Sequence, residues 1–421
     1  MEKAEKKNYL PLIMWLVLLV FFIYQFVARS SFPTVLTEEY MKFFNLDAEG
    51  VGALVSCYYI VYTLAQIPVG IIIDKCDVRI LATVAVLLCA SGVALFVATP
   101  NCSIASVGQM LVGLGSAFSF ISLMKIVATW FAPKERAILI SYTLSIGCLG
   151  PVVFGPIVAL IVEKFDWRYV MMAFSVLGVL VAALLWSVVR EKKQDKHASK
   201  KESIPILKSL KMLLISPQIW ILSLLIMMQY APLSALADLW GVSFIKKAYN
   251  VDPALASLAS NMIYLGVVVG SPFFAHLAVR IDSYKKTMMI STISGAIFFS
   301  IIQFFHVPIS VMFGLLFMVG FSSGATLQYA LAPLAFSESM SATISSFVNM
   351  FSMLSGVILM PLIGKLVDWS WNGTMVDGAK IYSVSDYRCG FFALLATLII
   401  GAVLSCFVKD RSPSETGASC S

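Results

Sequence analysis

The sequence is punctuated by twelve apolar runs, near residues 10–31, 50–73, 80–99, 104–130, 137–161, 168–189, 216–244, 256–279, 287–305, 308–333, 342–367 and 388–408. Each is close to the roughly 20 residues that carry a helix across about 30 Å of hydrocarbon. None shows the alternation of a membrane β-barrel strand, so helices, which satisfy their own backbone groups in lipid, are the expected elements. Composition agrees. Charged residues make up 13% of the chain and hydrophobic residues 59%, with a mean hydropathy of +0.89, whereas soluble domains carry about 25% charged residues. The expectation is an all-α integral membrane protein with twelve transmembrane helices.

Residues 1–9 are charged, but the apolar run that follows exceeds 20 residues and has no small-residue cleavage site, so the first span is expected to be retained. The eight cysteines fall mostly within spans and form no CxxC pair or metal spacing. If the N-terminus is cytoplasmic, 20 of the 30 Lys and Arg residues fall in cytoplasmic segments. By the positive-inside rule both termini face the cytoplasm, in a plasma (bacterial inner) membrane. That bias accounts for the net charge of +7 without nucleic acid. The run REKKQDKHASKKES at 190–203 reads as a solvated basic linker. It divides an N-terminal six-helix bundle (1–189) from a C-terminal one (213–421), with the linker taken as 190–212. The outer loop at 369–387 reads as a small cap or hairpin.

The two halves look like copies. A shift of 205 residues places Lys75 on Arg280, Asp77 on Asp282, Phe131 on Phe336, Ala137 on Ala342 and Pro156 on Pro361. The matched segments are the same kinds of element, a short charged turn after the second span of each half and a loop after the fourth. Pseudo-symmetric halves of this kind are a frequent transporter design, with the solute site between them near mid-membrane.

The loop GIIIDKCDVR at 70–79 resembles the GxxxD(R/K)xGR(R/K) signature of the major facilitator superfamily, with Asp77 in place of the second glycine. WFAPKERA at 130–137 is similar to that family's Trp-Phe-x-Pro-x-Glu-Arg loop, and AHLAVRIDSYKK at 275–286 is the weaker counterpart in the second half. The resemblance covers essentially the whole chain and implies that Gly70, Asp74, Lys75, Arg79, Arg136 and Arg280 act as conformational-switch residues. Members that move organic anions with protons often carry an Arg and a Glu on the fourth helix. By the spacing of GQMLVGLGSAF those places hold Gln109 and Ser116, so that coupling apparatus is absent.

Charges within spans are costly and mark function unless they snorkel. Arg29 lies 22 residues past Lys7, about 33 Å of helix, and shares a face with Gln25 one turn away. The equivalent helix of the second half carries Tyr230, Ser234 and Asp238 at i, i+4, i+8. Asp238 is the intramembrane acid best placed to carry a proton. Tyr58, Tyr62 and Gln66 line one face of the second span. Ser122, Lys125, Asn261, Tyr264, Thr326, Gln328, Tyr329 and Asn349 complete the set of polar residues available to a central cavity. The residues expected to bind solute are therefore Gln25, Arg29, Tyr58, Tyr62, Lys125, Tyr230, Asp238, Tyr264, Gln328 and Asn349. For each lone tyrosine or amide, an interhelical hydrogen bond is the competing role. Snorkelling competes for Arg29 and Lys125.

No phosphate loop, HExxH, GxSxG or Cys/His cluster is present, and the three histidines are scattered. Enzyme chemistry, a metal and a cofactor are not expected. The expected function is alternating-access transport, with the bilayer, a small carboxylate-bearing solute and a proton as partners of a single chain. An amino acid, a short peptide or an organic anion would fit a cavity holding both charge signs. A non-transporting receptor or scaffold derived from a transporter is the other class.

Overall fold

The structure, a computed structural model, describes residues 9–131, 133–191, 212–324, 326–332, 341–376 and 379–410. The basic linker expected at 190–212 therefore lies almost wholly outside the described residues, as does the far C-terminal tail.

The first half comprises α1 (Leu10–Val35), α2 (Thr37–Phe44), α3 (Ala48–Lys75), α4 (Val78–Val97), α5 (Cys102–Trp130), α6 (Pro133–Val162) and α7 (Trp167–Val188). The second comprises α8 (Pro217–Tyr249), α9 (Pro253–Ile281), α10 (Tyr284–Phe304), α11 (Ile309–Phe321), α12 (Thr326–Leu331), α13 (Ser341–Ser370) and α14 (Val384–Ser405). Among the described residues, eleven helices are long and apolar enough to cross a bilayer. The expected hairpin in the 369–387 loop is present as strands β1 (Met375–Val376) and β2 (Ala379–Lys380), paired antiparallel.

The tenth span departs from expectation. It is not one continuous helix over 308–333 but α11, of 13 residues, followed by a break before α12. Gly324 sits in the left-handed region at φ +51°, where a side chain is strained. The carbonyl of Ser322 is satisfied by the Ser291 hydroxyl at 3.0 Å, so the irregular backbone is tolerated because it is buried in protein rather than in lipid.

Local chemistry repeats with the 205-residue period. Asn45 ends α2 and Asn250 ends α8, each a left-handed cap at φ 51°. Two residues on, Asp47 and Asp252 cap α3 and α9 by accepting the N–H of Gly50 and Leu255 at 3.0 and 2.8 Å. Asn tolerates the left-handed conformation and Asp satisfies an orphan helix amide, so each Asn-x-Asp stops one helix and starts the next. The Asp77/Asp282 match behaves differently. Asp77 caps α4, whereas Asp282 is the left-handed C-cap of α9 and Ser283 takes the N-cap role for α10.

Between the halves, α3 packs along α13 and α6 along α9. At the end holding residues 36–52 and 360–384 the seam is very tight. A Cβ on Gly52 would fall 2.4 Å from the Met360 carbonyl oxygen, and one on Gly364 would fall 2.3 Å from that of Ala48. The described ties between the halves run from this end to mid-span, where Asn349 donates to Gln66 Oε1 at 3.3 Å. Farther on, Gly70 has open space where a side chain would be. The seam is thus closed at one end, while toward the other α3 stays packed within its own half, with Val69 and Ile73 buried.

Candidate functional site

The first helix of each half contains a π turn, at Val27–Ser31 in α1 and Leu233–Trp240 in α8. Pro33 follows the first after one residue, four positions past Arg29, and Pro232 immediately precedes the second. Proline cannot donate to the carbonyl four residues back and crowds it, which favours a local change of winding. Such turns leave backbone carbonyls free of the α-helical pattern, and they recur at functional sites. Here the carbonyls of one π turn bond to hydroxyls beside the other. Ser30 donates to the Ala237 oxygen at 3.4 Å, and Thr34 and Thr37 donate to that of Leu239 at 3.3 Å.

That junction brings Arg29 and Asp238 together at the centre of the molecule, 4% and 0% exposed. Both sequence-expected charges are thus buried in protein, and Arg29 does not snorkel. The closest approach, Arg29 Nε to Asp238 Oδ2, is 3.8 Å. Tyr59 donates to Asp238 Oδ2 and Tyr264 donates to Oδ1. Tyr264 in turn accepts from Arg29 Nη2 at 3.0 Å, so its hydroxyl relays between the charges. The guanidinium lies over the Phe26 ring, 4.4 Å from its centroid, a contact that offsets part of the cost of burying the cation. A buried pair of this kind holds only when its remaining hydrogen-bonding capacity is met. Arg29 Nε has no hydrogen-bond partner among the described residues.

Around this core, Tyr58 donates to Gln25 Oε1 at 3.2 Å and stacks on Tyr62. Tyr230 lies within electrostatic reach of Arg29 and Asp238. Tyr62, Tyr230, Tyr329 and Asn349 are only partly buried. Tyr329 donates to Asn349 at 2.8 Å, and Asn349 bonds across the halves to Gln66. The two charges therefore sit at the closed side of a group of hydroxyls and amides.

Two of the expected solute residues, Lys125 and Gln328, lie elsewhere, as does Asn261 of the wider polar set. Lys125 is at the far end of α5, where its ammonium donates to the carbonyls of Ile73 and Cys76 at 2.6 and 2.9 Å and pairs with Glu191 at 3.0 Å. It meets the last turn of α3 because unpaired carbonyls and the helix dipole attract a cation there. Gln328 stays within its own half, donating to Gln229 at 2.7 Å. Asn261 is built into the α6–α9 seam, donating to the Pro151 oxygen at 3.0 Å. Tyr59 was not among the expected site residues. The i, i+4 stripe of Tyr58, Tyr62 and Gln66 drew attention to one face of α3, and Tyr59 is one residue off it. The adjacent Tyr-Tyr pair in an apolar span was the available signal.

Of the expected switch residues, the side chains of Asp74 and Lys75 lie outside the described residues. Arg79 stacks on Trp186 at 4.0 Å, Arg136 donates to the Phe131 oxygen at 2.9 Å, Arg280 is exposed near the end of α9, and Gly70 faces open space.

Among curated proteins the chain is 24% identical to the uncharacterized transporter YybO of Bacillus subtilis, across 86% of each chain. It is 25% identical to the probable galactarate/D-glucarate transporter GudP of Escherichia coli over 48% of this chain and 45% of that one. It is 22% identical to the membrane sensor protein UhpC of Salmonella typhimurium over 88% and 86%. Among solved structures, an inward-facing, unoccupied bacterial homolog of the human lysosomal transporter Spinster superposes with a TM-score of 0.79 at 16% identity, covering 96% of this chain and 97% of that one. The family model of the Major Facilitator Superfamily matches residues 14–242 and again 237–419. With two six-helix halves meeting at paired π turns, and that match over nearly its full length, the chain belongs to the Major Facilitator Superfamily of membrane transporters.

Proposed function

We propose that this protein moves a small carboxylate-bearing metabolite across the plasma membrane by alternating access, coupled to a proton through Asp238. The observation that carries the reading is the buried Arg29 guanidinium, placed between the halves with one donor unpartnered. A charge held at mid-membrane at such cost marks a solute or ion site. A carboxylate or phosphate is its complement.

The solute set is Gln25, Arg29, Tyr58, Tyr62, Tyr230, Tyr264 and Asn349, with Asp238 beside it as the proton-coupling acid rather than a solute contact, Gln328 behind it and Lys125 assigned to helix capping instead. Neutral amides and tyrosine hydroxyls beside one guanidinium suit a molecule with several hydroxyls and a carboxylate. The likeness to GudP, named for galactarate and D-glucarate, supports sugar acids over amino acids or peptides. The bundles are taken as 1–189 and 213–421, both termini as cytoplasmic by charge bias, and the closed end of the seam as the outer face. The loop at 70–79 with Arg136 and Arg280 serves the switch between states, and a single chain suffices.

Uptake of labelled D-glucarate and D-galacturonate into vesicles holding the purified protein, with and without a pH gradient, tests the reading. Arg29→Ala should abolish uptake. Asp238→Asn should abolish pH-driven uptake while sparing exchange, and unchanged proton-driven uptake in that variant would remove Asp238 from the coupling role. A second reading is favoured by the full-length likeness to a sensor. Binding without uptake or counterflow would select it.

A further inference from the structure

We infer that Tyr59 and Tyr264 are positioning residues that hold Asp238 off Arg29, so that the guanidinium is not consumed by a closed ion pair and can exchange toward the carboxylate of a solute. The inference rests on the reading of Arg29 as the anion site and adds what keeps that site available. An arginine and a carboxylate buried side by side ordinarily close into two parallel N–H···O bonds. In this protein they do not. Arg29 Nε stands 3.8 Å from Asp238 Oδ2 and has no partner among the described residues, although an orphaned donor on a buried charge is costly.

The cause is on the other side of the carboxylate. Each of its oxygens accepts a tyrosine hydroxyl, Oδ2 from Tyr59 of the first half and Oδ1 from Tyr264 of the second. Neither charge is free to close the gap. Arg29 is seated on Phe26 at 4.4 Å and tied to Tyr264 at 3.0 Å. Asp238 belongs to a π turn whose neighbouring carbonyls, Ala237 and Leu239, are held by Ser30 and Thr34 of the first half. The two hydroxyls thus satisfy the acid so that it need not consume the arginine. Without them Asp238 would act as an internal competitor of the solute. Tyr59 is the cleaner of the pair, because among the described residues its hydroxyl bonds only Asp238 whereas that of Tyr264 also bonds Arg29.

The test is equilibrium binding of D-glucarate to the purified full-length chain in lipid nanodiscs, by calorimetry, for the wild type, Tyr59→Phe, Asp238→Asn and the double variant. Tyr59→Phe is expected to weaken binding about tenfold, the effect of one hydrogen bond to a charged group. Asp238→Asn should bind at least as well as the wild type, and the double variant should match Asp238→Asn, because the hydroxyl has nothing left to restrain. Tyr264→Phe in the Asp238→Asn background should still weaken binding through its lost bond to Arg29. Wild-type affinity in Tyr59→Phe, or the same loss in both backgrounds, would overturn the inference. Failure of the wild type to bind this or any other carboxylate probe would overturn the anion-site reading itself, and this inference with it.

Discussion

Asp368, in the last turn of α13 in the second half, accepts the backbone N–H of Glu49 in the first turn of α3 at 2.7 Å, so a carboxylate of one half caps a helix of the other. Tyr382 joins them, accepting from the Ala48 N–H at 3.1 Å and donating to Asp368 at 2.5 Å. The β1–β2 hairpin supplies Lys380, which pairs with Asp368 at 2.9 Å and Asp47 at 3.3 Å. A carboxylate at a helix N-terminus meets orphan amides and the positive end of the dipole, so this contact favours the closed seam specifically. Asp368→Asn should shift the balance toward opening of that end by about 1–2 kcal/mol, or roughly tenfold. Hydrogen exchange should rise across residues 48–55 and fall reciprocally around 142–150 as the opposite end closes. Faster exchange at residues 48–50 alone would mean local fraying and no shift of state.

The same seam depends on two glycines. Gly52 and Gly364 let backbones approach to where a Cβ would lie 2.4 and 2.3 Å from a facing carbonyl oxygen, the close packing that small residues permit between membrane helices. A backbone atom cannot yield as a flexible side chain does. Gly52→Val should therefore prevent closure, leave the halves folded, and reduce uptake by at least about tenfold. The check pairs transport with melting of the purified variant. A normal Tm with lost uptake supports the mechanism, and normal uptake would contradict it.

The spans, the repeat and the two central charges were legible in the sequence because each has a local signature: hydropathy, residue matches at one offset, and ions where lipid forbids them. Arg29 and Asp238 could be paired because the repeat made their helices equivalent. Tyr59 was hidden because its role depends on the winding of α8, which brings Asp238 to a neighbouring face of α3. The π turns themselves are set by tertiary bonds, although Pro33 and Pro232 hinted at them. Lys125 is ambiguous in the sequence because a cation in an apolar span has two outlets, a solute or a helix C-terminus. The choice depended on where α3 ends, which periodicity alone does not fix to within a turn.

Lys125 gathers the Ile73 and Cys76 carbonyls and Glu191 at the end of α3. Lys125→Ala leaves those carbonyls without their cation and frees Glu191 from its partner. The Lys125 side chain is 18% exposed, so water recovers part of the loss, and the expected cost is about 1–2 kcal/mol of stability. Solute affinity should stay at the wild-type value, because the residue lies away from Arg29. A fall in Tm with unchanged binding by calorimetry is the expected pair of results, and weakened binding with an unchanged Tm would return Lys125 to the solute site.

Replacing Arg29 by lysine separates charge from geometry. Both side chains are cationic, but lysine offers a compact ammonium without the planar fork that meets a carboxylate through two parallel bonds. It would also lack the flat surface that lies 4.4 Å over Phe26. With a shorter reach and no fork, it would neutralise Asp238 or meet the solute, but not do both through one rigid group. Arg29→Lys should therefore fold like the wild type, since the buried acid keeps a counter-ion, and yet bind D-glucarate at least about tenfold more weakly. Loss of binding with an unchanged Tm would show that the fork and not the charge selects the solute. Near wild-type binding would mean that Arg29 serves mainly to balance Asp238, and the anion would have to be held by the surrounding hydroxyls and amides.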